Sequence, residues 1–312
     1  MGIPTETVYG LAARFDDPAA VARVFEAKER PAFDPLIVHI AEPDDLVLAE
    51  VVGVPEVSPA LRALLARAWP GPLTVVLPRH PAVDDLVTAG LPTVAVRCPE
   101  HPVARELIRR AGPLVAPSAN RFGRISPTRA SHVEAELDGR VELVVDGGPC
   151  RVGVESTIIG FDDEGRPVLH RPGGYPPEAV AAALGPLARP QEGKVVAPGQ
   201  TPSHYAPGTR VVPVQWSALP RGLPARVALL QVAGPLTAAV AAVEVEGLEV
   251  VRALGLSESG EPVEVARGLF AAMRELDCAG ADAILVEIPS WSAGLGHAVV
   301  DRLRRAAAPR ES

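Results

Sequence analysis

Apolar positions recur on two different periods between residue 1 and about residue 188. Pro18 to Ala27 places Val21, Val24 and Phe25 on one helical face, with Asp16 or Asp17 ahead of it as the candidate N-cap. Pro35-Leu36-Ile37-Val38-His39-Ile40 is a β-branched run expected to form a buried strand. Leu61 to Ala68 and His101 to Ala111 read as helices. Leu73 to Leu77, Val94 to Arg97, Leu114 to Ala116, Leu143 to Asp146, Ser156 to Phe161 and Val168 to His170 read as strands. Strands mixed with helices in this way predict an α/β or α+β domain, without giving its topology.

Residues 189–209 break both periods with a Pro/Gly-rich stretch and form a linker. Strands are then expected at Arg210 to Val214, Val227 to Gln231, Glu249 to Arg252 and Ala283 to Glu287, and Val265, Leu269, Met273 and Leu276 mark one helical face. This alternation predicts a small Rossmann-like sheet over 210–312. Gly294-Leu295-Gly296-His297 is not a dinucleotide fingerprint, because Val299 stands where the third glycine belongs.

Composition changes this picture in a few places. Of 312 residues 47% are hydrophobic and 22% charged, ordinary values for a globular chain, but only 4% are aromatic, so Ala, Val and Leu must build the cores. The 34 Pro and 28 Gly favour many short elements over coiled coils or solenoids. A net charge of −8 argues against non-specific coating of nucleic acid. Cys98, Cys150 and Cys278 form no CxxC pair and suit reduced thiols in the cytoplasm. The N-terminus has no signal-peptide pattern, and Val227 to Val243 is too short and too interrupted at Gly234-Pro235 to span a bilayer, so no membrane partner is expected. The 30 cations are 28 Arg and only two Lys, Lys28 and Lys194, so each Lys invites a chemical question.

No P-loop, zinc spacing or nucleophile elbow is present. Polar residues concentrate instead at turns and strand ends. Pro4-Thr5-Glu6-Thr7-Val8-Tyr9-Gly10 combines hydroxyls with a carboxylate. Lys28-Glu29-Arg30-Pro31 ends a helix, where the dipole alone also favours cations. Ala116-Pro117-Ser118-Ala119-Asn120 offers a hydroxyl and an amide beside small residues, and Gly153-Val154-Glu155-Ser156-Thr157 precedes a strand.

Together with Trp69-Pro70-Gly71-Pro72-Leu73-Thr74, Val94-Ala95-Val96-Arg97, Arg171-Pro172-Gly173 and the linker's Ser203-His204-Tyr205-Ala206-Pro207, these segments resemble the YrdC-like family in its two-domain threonylcarbamoyl-AMP synthase form. The resemblance implies a twisted mixed sheet with a concave positive cavity (1–188), a linker acting as a lid (189–209) and a smaller Rossmann-like domain (210–312). The activity it implies converts L-threonine, bicarbonate and ATP, with Mg²⁺ accompanying ATP, into L-threonylcarbamoyladenylate and pyrophosphate. A separate tRNA-modifying transferase would use the product, and a weak tRNA or RNA contact is among the partners the family allows.

By position in the family's motifs, Lys28 and Arg30 are the catalytic pair on the phosphates and the bicarbonate or carbamate. Thr7, His39, Arg97, Ala116 and Ser156 fall at threonine-pocket positions, with the Arg97 fork suited to a carboxylate. Arg30, Asp34, Thr93, Ser118, Asn120, Ser126, Arg171 and Tyr205 fall at ATP-contacting positions; no residue is assigned to a metal. Two departures stand out. Asp34 replaces the family's usual Asn, and a carboxylate beside phosphates repels them. Only Met1-Gly2-Ile3 precede the Pro-Thr-Glu-Thr turn, where members carry a helix and a strand, so either the true start lies upstream or an anchoring strand is missing. The alternatives are a non-enzymatic double-stranded RNA-binding module, which the charge and the low aromatic content oppose, and a carbamoyl-transferring maturation enzyme, whose acylphosphatase-like and zinc-finger segments are lacking.

Overall fold

The computed structural model describes residues 1–42, 51–53, 57–190, 196–199, 201 and 203–309; Lys194 lies outside them. The chain divides into two units, Met1–Phe122 with Ser126–Thr201, and Pro202–Ser312 with Gly123–Ile125. Among the described residues no helix is long and apolar enough to cross a membrane.

The first unit is built on a seven-stranded mixed sheet. Its spatial order is Ala13–Arg14, Leu114–Val115, Ile37–His39, Thr93–Arg97, Leu73–Pro78, Thr157–Phe161 and Pro167–Arg171. Ile37–His39 runs parallel to Thr93–Arg97, and Leu73–Pro78 runs parallel to Thr157–Phe161, while the remaining pairs are antiparallel. Period-two alternation gives the sheet two different faces. One carries Val38, Leu73, Val75, Leu77, Val94, Val96 and Ile159 into the main core, against Val21 and Phe25 of helix Pro18–Lys28 and Leu61, Leu64 and Leu65 of helix Pro59–Ala68.

On the other face the registers align two transverse rows. His39, Arg97, Thr74, Ile158 and Arg171 are successive Cα partners across five strands. Ile37, Ala95 and Val76 form the adjacent row. Ala197, from the Pro/Gly-rich stretch, is fully buried against that apolar row and Ile158.

Local chemistry explains the helix that presents Lys28. Asp17 caps the N-terminus by accepting from Ala20 N–H at 3.0 Å, and Pro18 occupies the first turn, where a missing N–H costs nothing. Glu29 adopts the left-handed conformation (φ 52°), and the Arg30 N–H returns to Phe25 O at 2.9 Å, which ends the helix ahead of Pro31.

Two expectations differ from the structure. Gly2–Ile3 is itself a strand, paired antiparallel with Gly10–Leu11, so the Pro4–Tyr9 loop is closed at its base. Leu143 to Asp146 is reduced to one bridge, Val144 with Gly2, because Gly2–Ile3, the strand it meets, is only two residues long.

The second unit holds a four-stranded, all-parallel sheet in the order Arg210–Pro213, Ala283–Val286, Arg226–Gln231, Glu249–Gly255. Helices Leu236–Val245, Pro262–Asp277 and Leu295–Ala307 complete it. The parallel βαβ architecture expected from the alternation is present.

Candidate functional site

Four connections converge on the polar row of the mixed sheet. The Pro4–Tyr9 loop is tied by Val152 N–H to Glu6 O (2.8 Å) and Gly153 N–H to Thr7 O (3.2 Å), while Ala119 N–H donates to Tyr9 O (2.8 Å). Within the loop the Thr5 hydroxyl donates to Val8 O at 2.6 Å and lies 2.8 Å from the Thr7 hydroxyl. Close backbone approach requires glycine at two positions. A Cβ at Gly173 would fall 2.3 Å from the Ser156 carbonyl carbon, and one at Gly10 would touch the Ala116 methyl at 3.0 Å.

One cluster gathers around Arg97. Its Nη2 donates to Glu6 Oε1 at 2.5 Å, and Glu6 Oε2 accepts from Glu100 N–H at 3.1 Å. Arg97 Nε reaches Gly71 O at 3.4 Å, which leaves Nη1 without a protein partner. His39 lies beside Arg97 across the parallel ladder, with Nδ1 3.1 Å from Ile37 O. Burial, and then the Arg97 charge, push His39 down to about 3, so it is a neutral imidazole at physiological pH. The Thr74 and Ser156 hydroxyls are 2.7 Å apart. Ala116 caps this side, its N–H donating to Ile37 O at 3.2 Å.

The second cluster is cationic. Lys28 is 1% exposed, and its ammonium donates to the carbonyls of Ser118 and Asn120 with no carboxylate in ion-pair range. Burial, and then the Arg30 charge, hold Lys28 well below the usual lysine range. Arg30 donates to Asp34 O (3.0 Å) and Pro35 O (2.7 Å) and lies 3.0 Å from Asp34 Oδ2. Neither Asp34 carboxylate oxygen has an aligned hydrogen bond. Burial pushes Asp34 up, with Arg30, Lys28 and Arg171 pulling against it. Arg171 joins the two clusters: Nε and Nη2 donate to Ser156 O at 3.2 and 3.0 Å, and Nη1 donates to Pro198 O at 3.1 Å.

The structure therefore brings together Thr7, Lys28, Arg30, Asp34, His39, Arg97, Ala116, Ser118, Asn120, Ser156 and Arg171. Ser126 is buried at the edge, donating to Glu155 Oε1 at 2.5 Å. Thr93 is not with them: it is paired with Pro78, beyond the apolar row and roughly 13 Å from Arg97 along the strand. Tyr205 belongs to the second unit, where its ring stacks on Phe270 (5.8 Å between centroids) beneath the Arg302 guanidinium (4.6 Å).

Three partners escaped the reading of the sequence. Glu6 holds Arg97, Thr74 holds Ser156 and Glu155 holds Ser126. Thr74 carried a usable signal, since alternation in Leu73 to Leu77 puts it on the face opposite Leu73 and Val75. Glu6 and Glu155 carried none beyond their place in polar turns.

Residues 1–173 match the Sua5/YciO/YrdC family, described as "Telomere recombination", and residues 175–308 match the family described as "Threonylcarbamoyl-AMP synthase, C-terminal domain". The chain belongs to the Sua5/YrdC family, in its two-domain form. A threonylcarbamoyl-AMP synthase of Pyrococcus abyssi is 42% identical over 320 residues, covering 99% of this chain and 91% of the relative. One from Bacillus subtilis is 41% identical over 326 residues, covering 99% and 90%. The crystal structure of P. abyssi Sua5 complexed with L-threonine superposes with a TM-score of 0.83 at 37% identity, covering 98% of this chain and 89% of that one.

Proposed function

We propose that this chain is a threonylcarbamoyl-AMP synthase acting on L-threonine, bicarbonate and ATP. The observation that supports this most is Lys28, a buried ammonium held by two backbone carbonyls, with Asp34 and Glu136 acting on it only from beyond ion-pair distance among the described residues. A buried charge in that state is stabilised by an incoming anion, so a phosphate or carboxylate would favour its protonated form.

The two clusters suit the two halves of the reaction. Arg97 Nη1, held in place by Glu6, would take the threonine carboxylate, while Thr7, Ser156 and neutral His39 line the pocket around the side chain. Carbamate forms when the threonine amine attacks the carbon of bicarbonate with loss of water. The carbamate oxygen then attacks the α-phosphorus of ATP and pyrophosphate leaves. Lys28, Arg30 and Arg171 would neutralise the phosphates and the developing charge, with Ser118, Asn120 and Ser126 on the nucleotide side. Mg²⁺ would arrive with the nucleotide as part of the substrate, offsetting the charge of the leaving pyrophosphate. Burial of these groups favours a carbamate protected from water, which would otherwise decompose. Residues 1–188 would hold the chemistry and 189–209 would close over it. The product would be handed to a transferase that modifies tRNA in the cytoplasm.

The test is pyrophosphate release by the purified protein with ATP·Mg²⁺. Release that requires both threonine and bicarbonate is expected. ATP turnover indifferent to threonine, or RNA binding without turnover, would overturn this reading.

A further inference from the structure

The second unit contains a cavity with its own chemistry. From Arg226–Gln231 the chain moves to Glu249–Gly255 on one side, then returns to Ala283–Val286 on the other. The direction of winding thus reverses between Arg226–Gln231 and Ala283–Val286, and parallel sheets place ligands outside the carboxyl ends of the strands at such a point. A cavity of about 370 Å³ opens there, of the size that takes a small molecule. Gln231 ends one strand and Glu287 follows the other.

Both polar side chains have acceptor capacity to spare. Gln231 is 5% exposed, and its Nε2 donates to Ala233 O at 2.5 Å. That contact fixes which way the amide faces, because the nitrogen must meet the carbonyl. Gln231 lines the cavity, and its Oε1 is buried with no donor among the described residues, a costly state that an N–H reaching it would relieve. Among the described residues Glu287 accepts only from Trp216 N–H, through Oε1 at 3.4 Å. Among the described residues that line the cavity there is no Lys or Arg, so nothing in the wall attracts a phosphate.

The remaining wall is mixed: Gln215 and Ser290 are polar, while Val214, Val232, Pro289 and Trp291 supply apolar surface. Trp291 is braced by the start of helix Leu295–Ala307: a Cβ at Gly296 would lie 2.6 Å from the Trp291 Cβ. The second glycine of Gly294-Leu295-Gly296-His297 therefore serves to seat the indole rather than to cradle a pyrophosphate.

We propose that this cavity is a ligand site for a phosphate-free heterocycle with several N–H donors, namely a nucleoside whose base edge meets Gln231 and Glu287 beside Trp291. Guanine, with a ring N–H and an amino group on one edge, fits two acceptors best, and uracil, with a single ring N–H, fits worst.

The test is calorimetric titration of the full chain, with the first unit filled by threonine and a non-hydrolysable ATP analogue. One guanosine per chain is expected, with Kd below about 1 mM, adenosine and cytidine weaker, and uridine weakest. GMP should bind no tighter than guanosine. Gln231→Met, which removes the orphan carbonyl at similar volume, should weaken guanosine at least tenfold while leaving Tm and pyrophosphate release unchanged. Glu287→Gln should weaken it independently. No saturable guanosine binding, equal binding of uridine, tighter binding of GMP, or affinity unaltered in both variants would each overturn the proposal.

Discussion

Each unit buries a cation, and the two are held in opposite ways. Arg302 of the second unit pairs with Asp301 Oδ2 at 2.5 Å and lies over the Tyr205 ring. Its charge is met by an acid and a π-face, both from its own unit. Lys28 of the first unit has two carbonyl dipoles and a neighbouring Arg30 that repels it, and the acids that attract it, Asp34 and Glu136, form no ion pair with it among the described residues. A satisfied buried cation holds a fold together; an unsatisfied one is a receptor for negative charge. Exposure alone does not separate them, since both are buried.

The sharpest way to break this contrast is to remove each cation. Lys28→Ala should lower threonine-dependent pyrophosphate release by about 10³-fold, the scale of losing a preorganised electrostatic partner, with Tm held or raised. Arg302→Met should do the reverse, costing about 2–3 kcal/mol of stability in denaturant unfolding while kcat stays within twofold. Equal losses of stability in the two variants would erase the distinction.

Arg97 is an intermediate case, buried like Arg302 and paired with Glu6, yet with one nitrogen left open. Glu6→Gln should raise the threonine KM about 10-fold, because small misplacements of a positioning group are costly, with the ATP KM little changed. A lower threonine KM would instead mean that Glu6 competes with the substrate for Arg97. Thr74→Val removes the 2.7 Å contact to Ser156 and should raise the same KM about 5-fold, measured in the same assay.

The smallest effect concerns Asp34. Burial raises its pKa against the pull of Arg30, Lys28 and Arg171, so the fold holds the protonated form, close in shape to the family's usual Asn, to higher pH than the unfolded chain does. Its stability contribution is present below the unfolded carboxyl value and is lost as pH rises through the raised folded value. Ionised Asp34 would also repel phosphate. The ATP KM should therefore climb about 2–3-fold with pH through that raised value and stay flat in Asp34→Asn. A parallel climb in the variant would exonerate Asp34.

Much of this was legible in the sequence where the cause is local. Asp17, Pro18 and Pro31 announce helix Pro18–Lys28, and period-two runs announce the central strands. Leu143 to Asp146 has the same kind of run but meets an edge only two residues long, and apolar pattern carries no information about the length of a partner edge. The site's polar turns were also legible, and the scarcity of lysine singled out Lys28. What holds those side chains was not, because Glu6 meets Arg97 across 91 residues and Thr74 meets Ser156 across 82. Such pairs are products of strand order, which no short window encodes. Tyr205 shows the same limit: its place in a Pro/Gly-rich linker gave no sign that its ring stacks on Phe270 beneath Arg302.

Ala197 has a practical consequence for anyone dividing this protein. It shields Ile37, Val76, Ala95 and Ile158, and Pro198 O receives Arg171. A chain cut at residue 188, where the periodic pattern ends, would shed that cover, uncovering four aliphatic side chains and taking the Pro198 carbonyl from Arg171 Nη1. Such a fragment should self-associate, whereas one cut after residue 201 keeps its own lining. The first unit extends past the end of its last helix to Thr201, inside the stretch whose composition looks most dispensable.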